Sequence, residues 1–241
     1  MTHMEAEYST LYLQVASGLF EDRTGAAGLA IPTLPTVGFG TAMADLDQDG
    51  DLDLVSGNGR IRRPELASLS TSPEAFWQPY AMQNEIFLNG GDGIFTPVAT
   101  TQDGFLASPR VTRGLAVGDI DDDGDLDVVT TEINGPTRIF LNIAKRPGNW
   151  LMVRAIDPRY GDRDAYGATV TVVAGKQRWA RDINPAYSYL SSNDPRAHFG
   201  LGKAAAFDKI TVLWPDGMQE IFPGGAAGKI LTLSRGKGIQ P

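Results

Sequence analysis

An acidic segment of eleven residues occurs twice, as DLDQDGDLDLV at 45–55 and DIDDDGDLDVV at 119–129, offset by 74 residues and identical at eight of eleven positions. Carboxylates held this close repel one another unless a cation neutralises them, so any fold must solve the same electrostatic problem at two places. The two stretches hold eleven aspartates; the net charge of −8 becomes +3 without them, so the rest of the chain is slightly basic. Acid concentrated in two short turns argues against a nucleic-acid partner and for a bound cation.

Numbered within each segment, carboxylates fall at positions 1, 3, 5 and 9 with glycine at position 6: Asp45, Asp47, Asp49 and Asp53 around Gly50, then Asp119, Asp121, Asp123 and Asp127 around Gly124. Calcium takes about 6–8 oxygen ligands, and a tight loop supplies them when alternate side chains turn inward. Glycine allows the sharp turn, and the carbonyl at position 7 (Asp51, Asp125) completes the set. An all-oxygen donor set disfavours zinc and copper, and the ligand number favours calcium over magnesium. Two Ca²⁺ sites are therefore expected. They are not EF-hands, because Ser56 and Thr130 stand where the bidentate glutamate belongs and the flanks LDLV and LDVV are β-like. With all ligands in one hairpin and no helix pair to open, the metal reads as a structural staple in preference to a sensor. The plainer alternative is a pair of solvated acidic turns.

A second repeat interleaves with the first. LYLQVASGLF (11–20) aligns without gaps to IFLNGGDGIF (86–95), and IFLN returns at 139–142. The order is hairpin, acidic loop, hairpin, acidic loop, half-hairpin. The spacing from acidic loop to hairpin is longer in the first unit, by an insertion of about twenty residues at 60–80. Segments 114–118 and 126–131 flank the second acidic loop as strands, and 85–89 and 94–98 flank the turn Gly90-Gly91-Asp92-Gly93. Four-strand units in tandem are the pattern of propeller blades; a β-sandwich with two similar hairpins is the alternative. We expect an all-β chain: a partial β-propeller of about two and a half four-stranded blades over 1–146, then a small β domain over 147–241, with Pro147-Gly148 at the junction. Closed propellers need about 4–8 blades. The chain thus reads as the C-terminal part of a longer propeller protein, since open edges invite aggregation.

In the second part, 150–156, 168–173, 177–183, 210–214, 219–222 and 229–233 read as strands, and the Gly- and Asp-rich motifs between them as turns.

The acidic segments resemble the FG-GAP/VCBS repeats of integrin-alpha-like propellers, whose blades carry D-x-D-x-D-G-x-x-D loops between their first two strands. The match runs over 11–145, with one departure: Ala44 stands where the family has the glycine that Gly118 keeps. The segments DRDAYGATVTVVAG (162–175), YLSSNDPRAHFGLG (189–202) and ITVLWPDG (210–217) resemble the ASPIC/UnbV domain in order and spacing. Together these resemblances imply an exported calcium-binding protein, extracellular, periplasmic or on the cell surface, with no established enzymatic activity. They do not supply a ligand.

The remaining features bound the function further. No apolar run reaches eighteen residues, so membrane insertion is not expected; the first twenty residues do not read as a signal peptide; there is no cysteine. Only two histidines exist, His3 in a tail and His198 in the DPRAHFGLG motif, where a structural hydrogen bond is the reading preferred to catalysis. No nucleophile elbow, phosphate loop or histidine metal motif is present. The one enzyme-like constellation is Asp157, Asp162 and Asp164 with Arg163 and Tyr166, which in principle offers paired carboxylates to a glycoside but reads more simply as a turn. We therefore expect a non-catalytic interaction module for a protein or glycan, with a purely architectural role as the alternative. The insertion, bearing Arg60, Arg62, Arg63, Phe76, Trp77 and Tyr80, is the candidate docking surface; an ordinary loop whose aromatics pack back on the blade is its plain alternative.

Overall fold

The computed structural model describes residues 1–4, 6–64, 72–99, 104–144 and 148–241. The expected junction at 146/147 and the middle of the insertion lie outside the described residues.

The repeat in the sequence is a repeat in space. Strands β1 (Tyr12–Ala16) and β2 (Leu19–Asp22) form an exposed hairpin. Strands β3 (Gly38–Ala44), β4 (Asp53–Asn58), β5 (Glu85–Asn89) and β6 (Phe95–Pro97) then form one antiparallel sheet in chain order. Strands β7 (Thr112–Gly118), β8 (Asp127–Glu132) and β9 (Arg138–Phe140) repeat its first three members. The first acidic loop joins β3 to β4, closed by the pair Ala44–Asp53; the second joins β7 to β8, closed by Gly118–Asp127. Even the irregularity in register recurs at the same repeat position, between Gly38 and Thr41 and between Thr112 and Leu115. This is the architecture of a partial propeller. The insertion is pinched at its base: Gly59 bridges to Ala81, and the Arg60 amide donates to the Tyr80 carbonyl at 2.8 Å.

The C-terminal part encloses a core between two four-stranded sheets. One is built on β10 (Asn149–Asp157): β17 (Lys229–Ser234) runs parallel along one edge, and β14 (Ala197–Gly202) and the short β11 (Arg163–Asp164) share the other. The second runs β13 (Gln177–Asp182), β12 (Thr169–Ala174), β15 (Ala206–Leu213), β16 (Gln219–Ala226). Leu151, Val153 and Ala155 of β10 meet Val170, Val172, Ile210 and Val212 across the core, all fully buried. One expectation needs correcting: the segment 197–202, read as a turn, is the strand β14. Its alternation is real, with Ala197, Phe199 and Leu201 in the core, but His198, Gly200 and Gly202 at the intervening positions are poor strand formers and hide it.

β10 is buried on both faces over its first half. Its odd residues serve the C-terminal core, while Met152, fully buried, and Trp150 join the core between the blades, beside Leu115, Val117, Leu126 and Val128. Two parts that the sequence separates therefore share a wall. Truncating Met152 to Ala is expected to cost about 2–5 kcal/mol, read as a lower urea midpoint at unchanged slope; a cost below about 0.5 kcal/mol would mean the wall is not shared in solution.

Candidate metal centres

Both acidic loops adopt one backbone. Position 4 and position 6 are left-handed in each: Gln48 (φ 60°) and Gly50 (φ 105°), Asp122 (φ 58°) and Gly124 (φ 95°). Only glycine takes such φ values freely, and position 6 has a second reason to be glycine. A side chain at Gly50 would run into the Trp179 indole, and one at Gly124 into that of Trp150. Each loop is thus capped by one tryptophan from the C-terminal sheets.

The structure gathers carboxylate oxygens of Asp45, Asp47 and Asp49 within 4.8 Å of one another, and those of Asp119, Asp121 and Asp127 likewise. These two clusters are able to hold a metal ion. Position 1 is the buried anchor. In the first loop Asp45 Oδ2 accepts the Gly50 amide at 3.0 Å and the Gly200 amide at 2.9 Å, while Oδ1 is buried with no hydrogen-bond partner. In the second, Asp119 Oδ1 and Oδ2 accept the Asp123 and Gly124 amides of their own loop. The position 5 carboxylates fold inward: Asp49 accepts the Asp51 amide and Asp123 the Asp125 amide, both at 2.9 Å.

Position 9 ties each loop to its blade. Asp53 accepts Leu46 N (2.8 Å) and Asn89 N (2.9 Å); Asp127 accepts Ile120 N (2.9 Å) and Asn142 N (2.8 Å). The asparagine that ends each IFLN supplies that backbone amide, and its side chain serves the turns: Asn89 donates to the Leu52 carbonyl and accepts the Gly91 and Gly93 amides, and Asn142 donates to the Leu46 carbonyl and accepts the Ala144 amide. At position 7, the Asp125 carboxylate accepts the Gln48 side-chain amide at 2.7 Å, so the two loops touch; Asp51 is exposed.

Burial dominates the electrostatics. It pushes the Asp45 carboxyl up to about 7, with the Asp49 and Asp53 charges adding to it and Arg181 opposing it. Burial also pushes Asp53 up to about 6 and raises Asp119, Asp51 and Asp125. A buried acid with an orphan oxygen among other carboxylates is a site that fits a hard cation, and an all-oxygen donor set is the right chemistry for one. His198, fully buried, is pushed down to about 4 by burial and stays neutral, its ring nitrogen bonded to the Gly124 carbonyl at 2.9 Å.

Sequence reasoning missed the position 4 residues, where the two loops differ. Gln48 reaches across to the Gly124 carbonyl (3.2 Å) and Asp125, whereas Asp122 reaches out to Arg196 at 2.7 Å. The difference follows from different neighbours. The departure at Ala44 has a similar cause, since Gly118 lies against the Cβ of Asp194, at 2.8 Å from where its own Cβ would stand.

The other candidates resolve simply. Asp157 is held by Arg159 at 2.7 Å, and hydrogen bonding to that guanidinium lowers its carboxyl; Asp164 pairs with Arg154 at 2.7 Å. Asp157 is therefore a poor proton donor. In the insertion, Phe76, Trp77 and Tyr80 pack on one another with ring centroids 5.2–6.1 Å apart, and the Arg63 guanidinium lies 5.6 Å from the Phe76 ring.

Known families match this layout. Residues 63–130 match the FG-GAP-like repeat and residues 159–240 match the family described as ASPIC and UnbV. The chain thus carries an FG-GAP-like repeat followed by an ASPIC/UnbV domain. Over most of its length it is homologous to cartilage acidic protein 1. The Mus musculus protein is 30% identical over 251 aligned residues, covering 86% of this chain and 38% of that protein; the Homo sapiens protein is 28% identical, covering 86% and 37%. The chain therefore spans less than two fifths of the length of these curated relatives.

Asp45 and Asp53 bind protons more tightly in the metal-free fold than in the unfolded chain, so their contribution is favourable at low pH and lost as pH rises through about 6 and 7. His198 acts in the opposite sense below its ordinary value near 6.5, and comparison with Asp45→Asn removes it. In chelator, Asp45→Asn is expected to melt higher than the parent at about pH 8, with the gap closing by about pH 5. A gap that widens on acidification would contradict the buried, uncompensated carboxylate.

Proposed function

We propose that this chain is a calcium-stabilised, non-catalytic interaction module that acts outside the cytoplasm. The observation that carries the reading is the orphan Asp45 Oδ1, buried without a hydrogen-bond partner in a residue whose carboxylate clusters with those of Asp47 and Asp49. All ten aspartates of the two loops, 45 to 53 and 119 to 127 at alternate positions, belong to these sites. On this reading the position 1, 3, 5 and 9 carboxylates are the ligands, of which those of Asp45, Asp47 and Asp49 and of Asp119, Asp121 and Asp127 already lie together, and the position 7 carbonyls of Asp51 and Asp125 add to them. The metal acts as a staple: the position 9 carboxylates already join the loop to the third strand of the blade, and a cation removes the repulsion that works against that closure. Ligands confined to one hairpin suit the affinity of extracellular modules, about 10⁻⁴–10⁻³ M. The FG-GAP-like repeat and the relatives' name, cartilage acidic protein, support the same location. Among the described residues no helix is long and apolar enough to cross a membrane.

The partner is a protein or glycan met by the insertion, which carries Arg62 and the packed aromatic group Phe76, Trp77 and Tyr80. The rest of a longer propeller is a second partner, supplied by the same chain. Among the described residues β9 ends the second sheet, one strand short of the first.

Calcium titrated calorimetrically into chelator-stripped protein should bind at two sites and raise the melting temperature, because a ligand of the native state alone stabilises by mass action. Asp45→Asn and Asp119→Asn should each abolish one site. Absence of heat and of any melting shift would remove the staple. For the docking surface, Arg62→Ala with Trp77→Ala should reduce capture on protein and glycan arrays without lowering stability, and unchanged capture would exclude the insertion.

A further inference from the structure

β14 is an edge strand: it pairs with β10 and with no other strand among the described residues. Its Gly200 and Gly202 amides, two residues apart, leave the strand on the side away from β10. Unpaired, they would be an open sheet edge buried against the blades. The first acidic loop takes up both, Gly200 N donating to Asp45 Oδ2 at 2.9 Å and Gly202 N to the Gln48 carbonyl at 3.0 Å. The approach is close enough that a Cβ at Gly200 would overlap Asp45 Oδ2 and the Gln48 backbone. The same strand also holds the second loop. His198 donates to the Gly124 carbonyl, and Arg196, one residue before the strand, donates to the Asp119 carbonyl at 2.7 Å and to the Asp122 carboxylate at 2.7 Å. Flanking strands add the Trp150 and Trp179 caps and a bond from Arg181 to the Gly50 carbonyl at 3.3 Å.

Asp45 is where the two functions meet. One oxygen receives the β14 edge; the other, buried and without a partner, faces the cluster of carboxylates. A cation on Oδ1 fixes the carboxylate whose Oδ2 receives the Gly200 amide, and a seated β14 holds Oδ1 in place for the cation. The second loop lacks this link, because the Asp119 carboxylate is satisfied by its own loop.

We propose that divalent-cation binding at the first loop and seating of the β14 edge on the blade are one coupled equilibrium, so that the C-terminal sheets are docked by way of the cation. The inference rests on the cation reading above and assigns it a site: the first loop is an interdomain centre, the second an intrablade one. Coupling is reciprocal, so it can be read from either end.

The test uses the whole chain, isotopically labelled, with calcium alone as the probe. Hydrogen exchange of the Gly200 and Gly202 amides should slow by about tenfold or more on going from chelator to calcium, beyond any change in the β12–β15 ladder, which reports global stability. Gly200→Ala, which removes no carboxylate ligand but sets a Cβ against Asp45 Oδ2 and the Gln48 backbone and so unseats the β14 edge, should weaken the first calcium site by about tenfold or more and leave the second within about threefold. If Gly200→Ala does not fold, the exchange of the parent protein decides alone. Calcium heats at both loops with no selective change at Gly200 and Gly202, or equal weakening of both sites by the variant, would overturn the coupling while leaving the cation sites intact. Absence of calcium heat would remove the cation reading itself.

Discussion

Repulsion among carboxylates packed into a nine-residue loop is the constraint around which this molecule is arranged. In each loop the position 1 aspartate is almost wholly buried and the position 9 aspartate is spent on two backbone amides. Hydrogen bonds from amides offset part of the charge, as Asp119 illustrates with both oxygens engaged. They do not offset all of it, and burial leaves Asp45 near 7. The proposed calcium ions answer a need that the fold itself creates.

Around that constraint the two halves of the chain are joined more closely than their sequences imply. The loops rise from the blades, yet their backs are covered by Trp150, Trp179, Arg181, Arg196 and His198, all from the C-terminal part. β10 supplies Leu151, Val153 and Ala155 to one core and Met152 to the other. A strand that serves both cores cannot belong to one half alone.

Much of this was legible beforehand, and for a physical reason: the repeat is local. Eight matching positions in each acidic segment, the period-two strands and the glycine turns all act over a few residues, and each was found where expected, with β5 at Glu85–Asn89 to the residue. What escaped acts over long separations. The bond from Gly200 to Asp45 spans 155 residues, and nothing near either residue announces it. β14 escaped because the residues that make it a good docking edge, two glycines and a histidine, also erase its strand pattern. The recurring asparagine of IFLN was visible as a repeat, but its purpose became clear only when its side chain was found bonded to acidic-loop carbonyls, Leu52 from Asn89 and Leu46 from Asn142.

The pinched base of the insertion, where Gly59 bridges to Ala81 and Arg60 bonds to Tyr80, separates the segment's fate from that of the blade. Chain that leaves and re-enters a sheet at paired residues can change length cheaply, by about 0.6 kcal/mol for each doubling. Its composition is likewise free of the register of β4 and β5. Selection is therefore able to rewrite this segment for a new partner without disturbing the acidic frame beneath it, which makes the insertion a replaceable cassette.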